Sequence, residues 1–308
     1  MFRLPIGGFN KKSLVLSLFL IAGLLGGCSK TATSPGSNTQ GFSRIVTTPN
    51  FVNSWYNYAP ETLSVYKSTL VIAKEDSVNV LRLDDLSKTI NSWDYYPGIW
   101  FSEIYAAAVN PNNGHIFAVD YDNYEVYQFT AGGVAVNFNN YNFSEPEDVA
   151  TDSNGNYYVA DSDNSEVEEF DAQNHLINSW YSFGGTSLDY PTGVALDVQN
   201  NLYIADYDDA QIFELAAGTN TLLNTWNLPY YDYVYEMAID GNGVVYAPLY
   251  EEKEVAEYKA GSALPFLTWD GSQGGGTKFG GPDGICLLQN GDILVSDYEK
   301  DNIQEFKP

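Results

Sequence analysis

Basic residues are missing from the middle of this 308-residue chain: between Thr89 and Glu252 there is no Lys or Arg, against 26 Asp and Glu. Over the whole sequence 40 acidic residues face 14 basic ones, a net charge of −26, which repels polyanions and excludes nucleic acid as a partner. Histidine is as scarce: His115 and His175 alone cannot build a His-rich metal centre. Cysteine is limited to Cys28 and Cys286, so paired-cysteine zinc motifs are excluded. There is no nucleophile elbow and no phosphate-binding glycine loop. Beyond residue 27 no long apolar pattern recurs at 3.6-residue spacing, which argues against a helical domain. What is present is enough for a large core, since 44% of residues are apolar and 15% aromatic, and this argues against acidic disorder.

The N-terminus is the one long apolar run. Arg3, Lys11 and Lys12 precede an almost wholly apolar stretch from Ser13 to Leu25, which is short for a bilayer span and ends in small residues, the order of a secretory signal. Leu25-Gly26-Gly27-Cys28 resembles a bacterial lipobox. The resemblance implies a lipoprotein signal peptide over residues 1–27, cleavage before Cys28, lipid attachment at the Cys28 sulfur, and a membrane anchor. The other reading of Cys28 is an ordinary buried cysteine after a membrane helix. Residues 28–41 are rich in Ser, Thr, Gly, Pro and Asn and read as a flexible tether to a domain spanning 42–308. Ser29 after the lipidated cysteine would favour the outer membrane or cell surface. With Cys28 lipidated, Cys286 has no disulfide partner and reads as a core thiol.

Internal repetition sets the fold class. Pro146-Glu147-Asp148-Val149-Ala150-Thr151-Asp152 and Pro191-Thr192-Gly193-Val194-Ala195-Leu196-Asp197 are each followed by an Asn-containing turn. Then come Tyr157-Tyr158-Val159-Ala160-Asp161 and Leu202-Tyr203-Ile204-Ala205-Asp206, a third strand (Val167–Phe170, Ile212–Leu215), and a fourth ending in Trp180 or Trp226. The same order recurs in 104–138, 234–269 and, more loosely, 62–93. Residues 284–306 supply only three strands. Phe51-Val52-Asn53-Ser54-Trp55 copies Thr89-Ile90-Asn91-Ser92-Trp93, so the missing fourth strand comes from the other end of the chain and closes a ring. The expectation is an all-β, six-bladed β-propeller of four-stranded blades. Its outer strands would end at Trp55, Trp93, Phe138, Trp180, Trp226 and Trp269, with the tryptophans packed between blades. Trp100 falls outside the pattern and is a candidate surface contact.

Pro-x-Gly-Val-Ala-Leu-Asp, Asn-Leu-Tyr-Ile-Ala-Asp and Ile-Phe-Glu-Leu, best formed from Pro146, Pro191 and Pro282, resemble the NHL repeat. The resemblance runs from Phe51 onward. It implies a propeller and leaves function open among peptide-amidating lyases, calcium-dependent lactonase-like hydrolases and non-catalytic binding or scaffold proteins, often anchored at a cell surface.

In such a ring the turns between second and third strands share a face with the starts of the inner strands. These turns carry an acidic rim, represented by Asp122, Asp163, Asp208, Glu251 and Glu299, while both histidines fall on the opposite face. The strand-end acids Asp120, Asp161, Asp206 and Asp297 are expected to cap their own turns. Nearer the axis stand Glu147, Asp148, Glu236 and Asp283. Asp148 and Glu236 occupy a place held by Gly193 and Gly284 in other repeats, so carboxylates from different blades are candidates to converge on calcium as a cofactor. Tyr121, Tyr207, Tyr230, Tyr231, Tyr233, Tyr250 and Tyr298 lie on or near the same face and suit recognition. The expected role is non-catalytic binding of a protein, cationic peptide or glycan. The alternatives are a calcium-dependent hydrolase or lyase at the channel mouth, and a structural component of an envelope assembly.

Overall fold

The computed structural model describes residues 27–28 as backbone, and residues 49–229 and 231–308 in full. The remainder of the expected signal peptide and tether, the first residues of the 42–308 domain, and Tyr230 lie outside the described residues. Six four-stranded antiparallel sheets follow one another around a ring. The inner-to-outer order of the second blade is Ile104–Val109, Ile116–Asp120, Glu125–Phe129 and Ala135–Asn139. The third is Pro146–Thr151, Tyr157–Asp161, Glu166–Phe170 and Leu176–Trp180, and the fourth Pro191–Leu196, Leu202–Asp206, Gln211–Leu215 and Leu222–Asn227. The first blade is built from Leu63–Tyr66, Thr69–Lys74, Ser77–Arg82 and Asp85–Trp93. The backbone of Gly27–Cys28 pairs with Tyr66 and Val65 on its inner edge.

Ring closure follows the repeat. In the sixth blade Pro282–Leu287, Ile293–Asp297 and Asn302–Lys307 are completed by Asn50–Tyr56, with Phe51 opposite Phe306 and Trp55 opposite Ile303. The fifth blade departs from regularity. Its inner strand is only Ala238–Ile239, and the ladder to Val245–Leu249 stops short of Pro248, which has no N–H to give.

Each joint between neighbouring blades holds one apolar cluster, because the three inner strands are buried on both faces and must pack against the next sheet. Trp180, Trp226 and Trp269 are fully buried in these joints, and Trp55 and Trp93 partly so. Phe138 does not join them. The residue in register with the tryptophans is Asn139, opposite Val126 as Trp180 is opposite Val167. One residue along a strand reverses the face, so Phe138 is 38% exposed while the Asn139 amide donates to Tyr157. Cys286 is a buried thiol between the sixth and first blades, outside any disulfide. Trp100 is 71% exposed and leans on Tyr95 in a small added hairpin.

Candidate binding site at the channel mouth

Two consecutive residues at the start of each inner strand do different work. Aligning the strands by register sets Thr62, Ala106, Asp148, Gly193, Glu236 and Gly284 at one position. The residues just before them are Glu61, Tyr105, Glu147, Thr192, Tyr235 and Asp283.

At the first of these positions, side-chain oxygens serve the neighbouring blade. Apart from the Gly27–Cys28 pairing in the first blade, an innermost strand has no further strand beside it, so N–H groups on its inner edge need other acceptors. Asp148 takes the N–H of Val149 in its own strand (2.7 Å) and of Val194 in the next blade (2.8 Å). Glu236 accepts from Ile285 one blade on (2.9 Å) and from Leu63 two blades on (2.8 Å). Thr62 accepts from Ala107 (2.9 Å). Acceptors therefore alternate with small residues around the ring. Gly284 is small for a stated reason: a Cβ there would lie 2.4 Å from the Glu61 carbonyl and 2.8 Å from Glu236 Oε2. Asp148 and Glu236 are both fully buried, with their carboxylates turned to backbone amides.

The preceding position is a β-bulge in at least three blades: register skips Tyr105, Glu147 and Thr192, and shifts again between Pro282 and Ile285, around Asp283. A bulge leaves its residue out of the ladder and re-aims the side chain. Tyr105 and Asp283 are thereby brought to the mouth. With Glu61, Glu103, Tyr235, Tyr250 and Tyr298 they line a cavity of about 120 Å³. Glu147 is buried beside them, against Tyr190.

The electrostatics follow from burial and like charge. Burial, then repulsion from Asp148, raises Asp283 to about 7. Glu147 is raised to about 8, by burial above all. Glu61 is held well above the usual carboxyl range by burial and by Asp283, Glu103 and Glu75. Glu103 is raised in the same direction.

A tyrosine network runs across this mouth. Tyr105 stacks on Tyr121 (4.5 Å) and Tyr207 on Tyr233 (4.0 Å), which stacks on Tyr235 (5.2 Å). Tyr235 meets Tyr105 and Tyr250 edge-on at 6.4 and 6.1 Å. Hydroxyls reach the rim: Tyr250 donates to Glu299 (3.1 Å), Tyr298 to Glu75 (2.7 Å) and Tyr190 to Glu145 (3.0 Å). Asp122, Asp163, Asp208, Glu251 and Glu299 are all exposed on this face, where Lys253 and Lys300 also stand.

The strand-end acids accept from their own turns at Asp120 (Asn123 N–H) and Asp206 (Asp209 N–H). They also grip the segment leading into the same blade, as Asp297 does with Gly280 and Gly281. In the fifth blade Leu249 stands at that place, and Asp232 supplies the carboxylate from the other side, accepting from Glu251 and Glu252. His115 meets Gln128 (3.0 Å) and His175 pairs with Asp171 (2.9 Å), both at turns on the far face. Among the described residues no three His, Cys, Asp or Glu side chains are placed to hold a metal ion.

Glu61, Glu103, Tyr105, Tyr190 and Tyr235 were not singled out from sequence. Pro60-Glu61-Thr62 matches Pro146-Glu147-Asp148 and marks Glu61, and the same alignment marks Tyr105 and Tyr235.

Fold and site together define a six-bladed β-propeller with an acidic, tyrosine-lined channel mouth. The NHL repeat matches residues 143–170, within the third blade. Among solved structures, the chain is similar to the WD40 β-propeller domain of Doa1, with a TM-score of 0.59 at 14% identity over 78% of this chain and 75% of that one. No curated protein matches in sequence.

Proposed function

We propose that this protein is a lipid-anchored, extracytoplasmic, non-catalytic binding module that takes a positively charged segment of a partner protein or peptide at the channel mouth. The observation that carries the reading is the cavity at that mouth, walled by carboxyls and tyrosines inside a ring of exposed acids. Like charges gathered around a concavity focus the field and draw a cationic partner, and tyrosines add contact area at little entropic cost. The anchor rests on the lipobox-like Leu25–Cys28. It requires the two-residue pairing of Gly27–Cys28 with the first blade to give way.

The test uses the full chain in detergent. A Lys-rich peptide should bind, weakening steeply between 50 and 300 mM salt, while its Glu-substituted counterpart should not. Equal binding of both peptides, or of neither, sinks the reading. Incorporation of a fatty-acid analogue at Cys28 in a bacterial host, abolished by Cys28→Ser, tests the anchor separately.

A further inference from the structure

Rim acids such as Asp163 and Asp208 stand in water and need no partner. Glu61 and Asp283 differ. They are 8% and 7% exposed, they line the cavity, and among the described residues no group donates a hydrogen bond to either carboxyl. One register position along, in the fifth blade, Glu236 accepts backbone amides and is buried as well. Buried carboxyls left without donors are held in a form that a ligand bearing both charge and N–H groups would satisfy.

The walls narrow the class of cation. A bare divalent ion needs several converging oxygens in place of its water, and four of the seven lining residues are tyrosines. Aromatic faces instead attract an organic cation and cover an alkyl stem. A guanidinium presents its donors in one plane, matched to a single carboxylate fork. Here the acids come from three blades: Glu61 from the first, Glu103 from the segment entering the second, and Asp283 from the sixth. Three acceptors at different places around one cavity fit the fan of donors on an ammonium.

We infer that this cavity binds a primary ammonium group on an alkyl stem, with Glu61, Asp283 and Glu103 accepting its three N–H groups and Tyr105, Tyr235 and Tyr250 flanking the stem. The inference rests on the cationic-partner reading above and names the group that enters. A lysine side chain of a partner and a free alkylamine share this chemistry.

Calorimetry on the full chain separates the outcomes. n-Butylammonium should bind and butanol should not. Butyltrimethylammonium, which has charge but no N–H, should bind roughly ten-fold or more weakly than n-butylammonium. Glu61→Gln and Asp283→Asn should each weaken n-butylammonium roughly ten- to hundred-fold, with Asp171→Asn, on the far face, unchanged. Because Asp283 is raised to about 7, binding at pH 7 should release protons, read as a buffer-dependent enthalpy. A blocked lysine peptide that outcompetes n-butylammonium supports a protein source; the reverse order supports a free amine. Equal affinity for the trimethyl analogue, or undiminished binding in both variants, overturns the inference. If the Lys-rich peptide binds while n-butylammonium does not, the ammonium site falls and the broader reading stands; if neither binds, both fall.

Discussion

Asp148 and Glu147 are neighbours in one strand, and Glu236 and Asp283 stand at adjacent register positions in consecutive blades, yet each pair divides between two environments. Asp148 and Glu236 face amides at the blade joints, where the inner strand edges would otherwise leave N–H groups without acceptors. Asp283, placed by a bulge, lines the mouth, and Glu147, likewise placed, is buried beside it against Tyr190; burial and like charge push both toward the neutral form. Carboxylates of the same type, at the same depth, therefore have opposite relations to stability: one set ties the ring together and the other is held against a cost.

The largest expected effect tests the joint. Glu236→Ala removes the acceptor of two buried amides and should destabilise by roughly 2–5 kcal/mol in urea unfolding, whereas Glu236→Gln, which keeps an acceptor oxygen, should lose much less. Gly284→Ala forces a methyl against the Glu61 carbonyl and Glu236, and roughly 1–3 kcal/mol should be lost by the same measurement.

The mouth should respond with the opposite sign. Asp283→Asn and Glu147→Gln remove carboxyls that are costly to ionise, so at pH 8 each should leave stability unchanged or raise it by about 1 kcal/mol. In the parent protein these groups bind more protons folded than unfolded between pH 4 and their raised values of about 7 and 8. Their contribution is therefore fully present near pH 4 and is lost as pH rises to 8. A fall in melting temperature over that window, shallower in the double variant, checks it. The smallest effect is expected from metal: calcium added after a chelator should leave the melting temperature within scan error, because Asp148 and Glu236 already serve amides. A clear upward shift would break the division between joint and mouth.

The ring was legible because strand order repeats, and because Phe51–Trp55 copies a fourth strand wherever it sits in the chain. Phe138 misled because an aromatic residue one place from the register position satisfies a pattern but not a face; only the pairing of Asn139 with Val126 reveals the slip. Asp148 and Glu236 stood out as acids where other repeats have glycine. Their acceptor role depends on Val194, Leu63 and Ile285 in other blades, and on strand edges that do not exist until the ring forms. The bulges at Tyr105 and Glu147 add a residue without changing composition, so nothing local announces which of two adjacent side chains turns to the mouth.

Pairing Phe51 with Phe306 also orders events in time. Asn50–Tyr56 has no sheet partner until Asn302–Lys307 leaves the ribosome, so its edge must wait through synthesis of the five blades between them. Closing so long a loop is a late and slow step in folding. Loss of residues 302–308 would accordingly strand Asn50–Tyr56 as well, so a cut of seven residues at one end disables both.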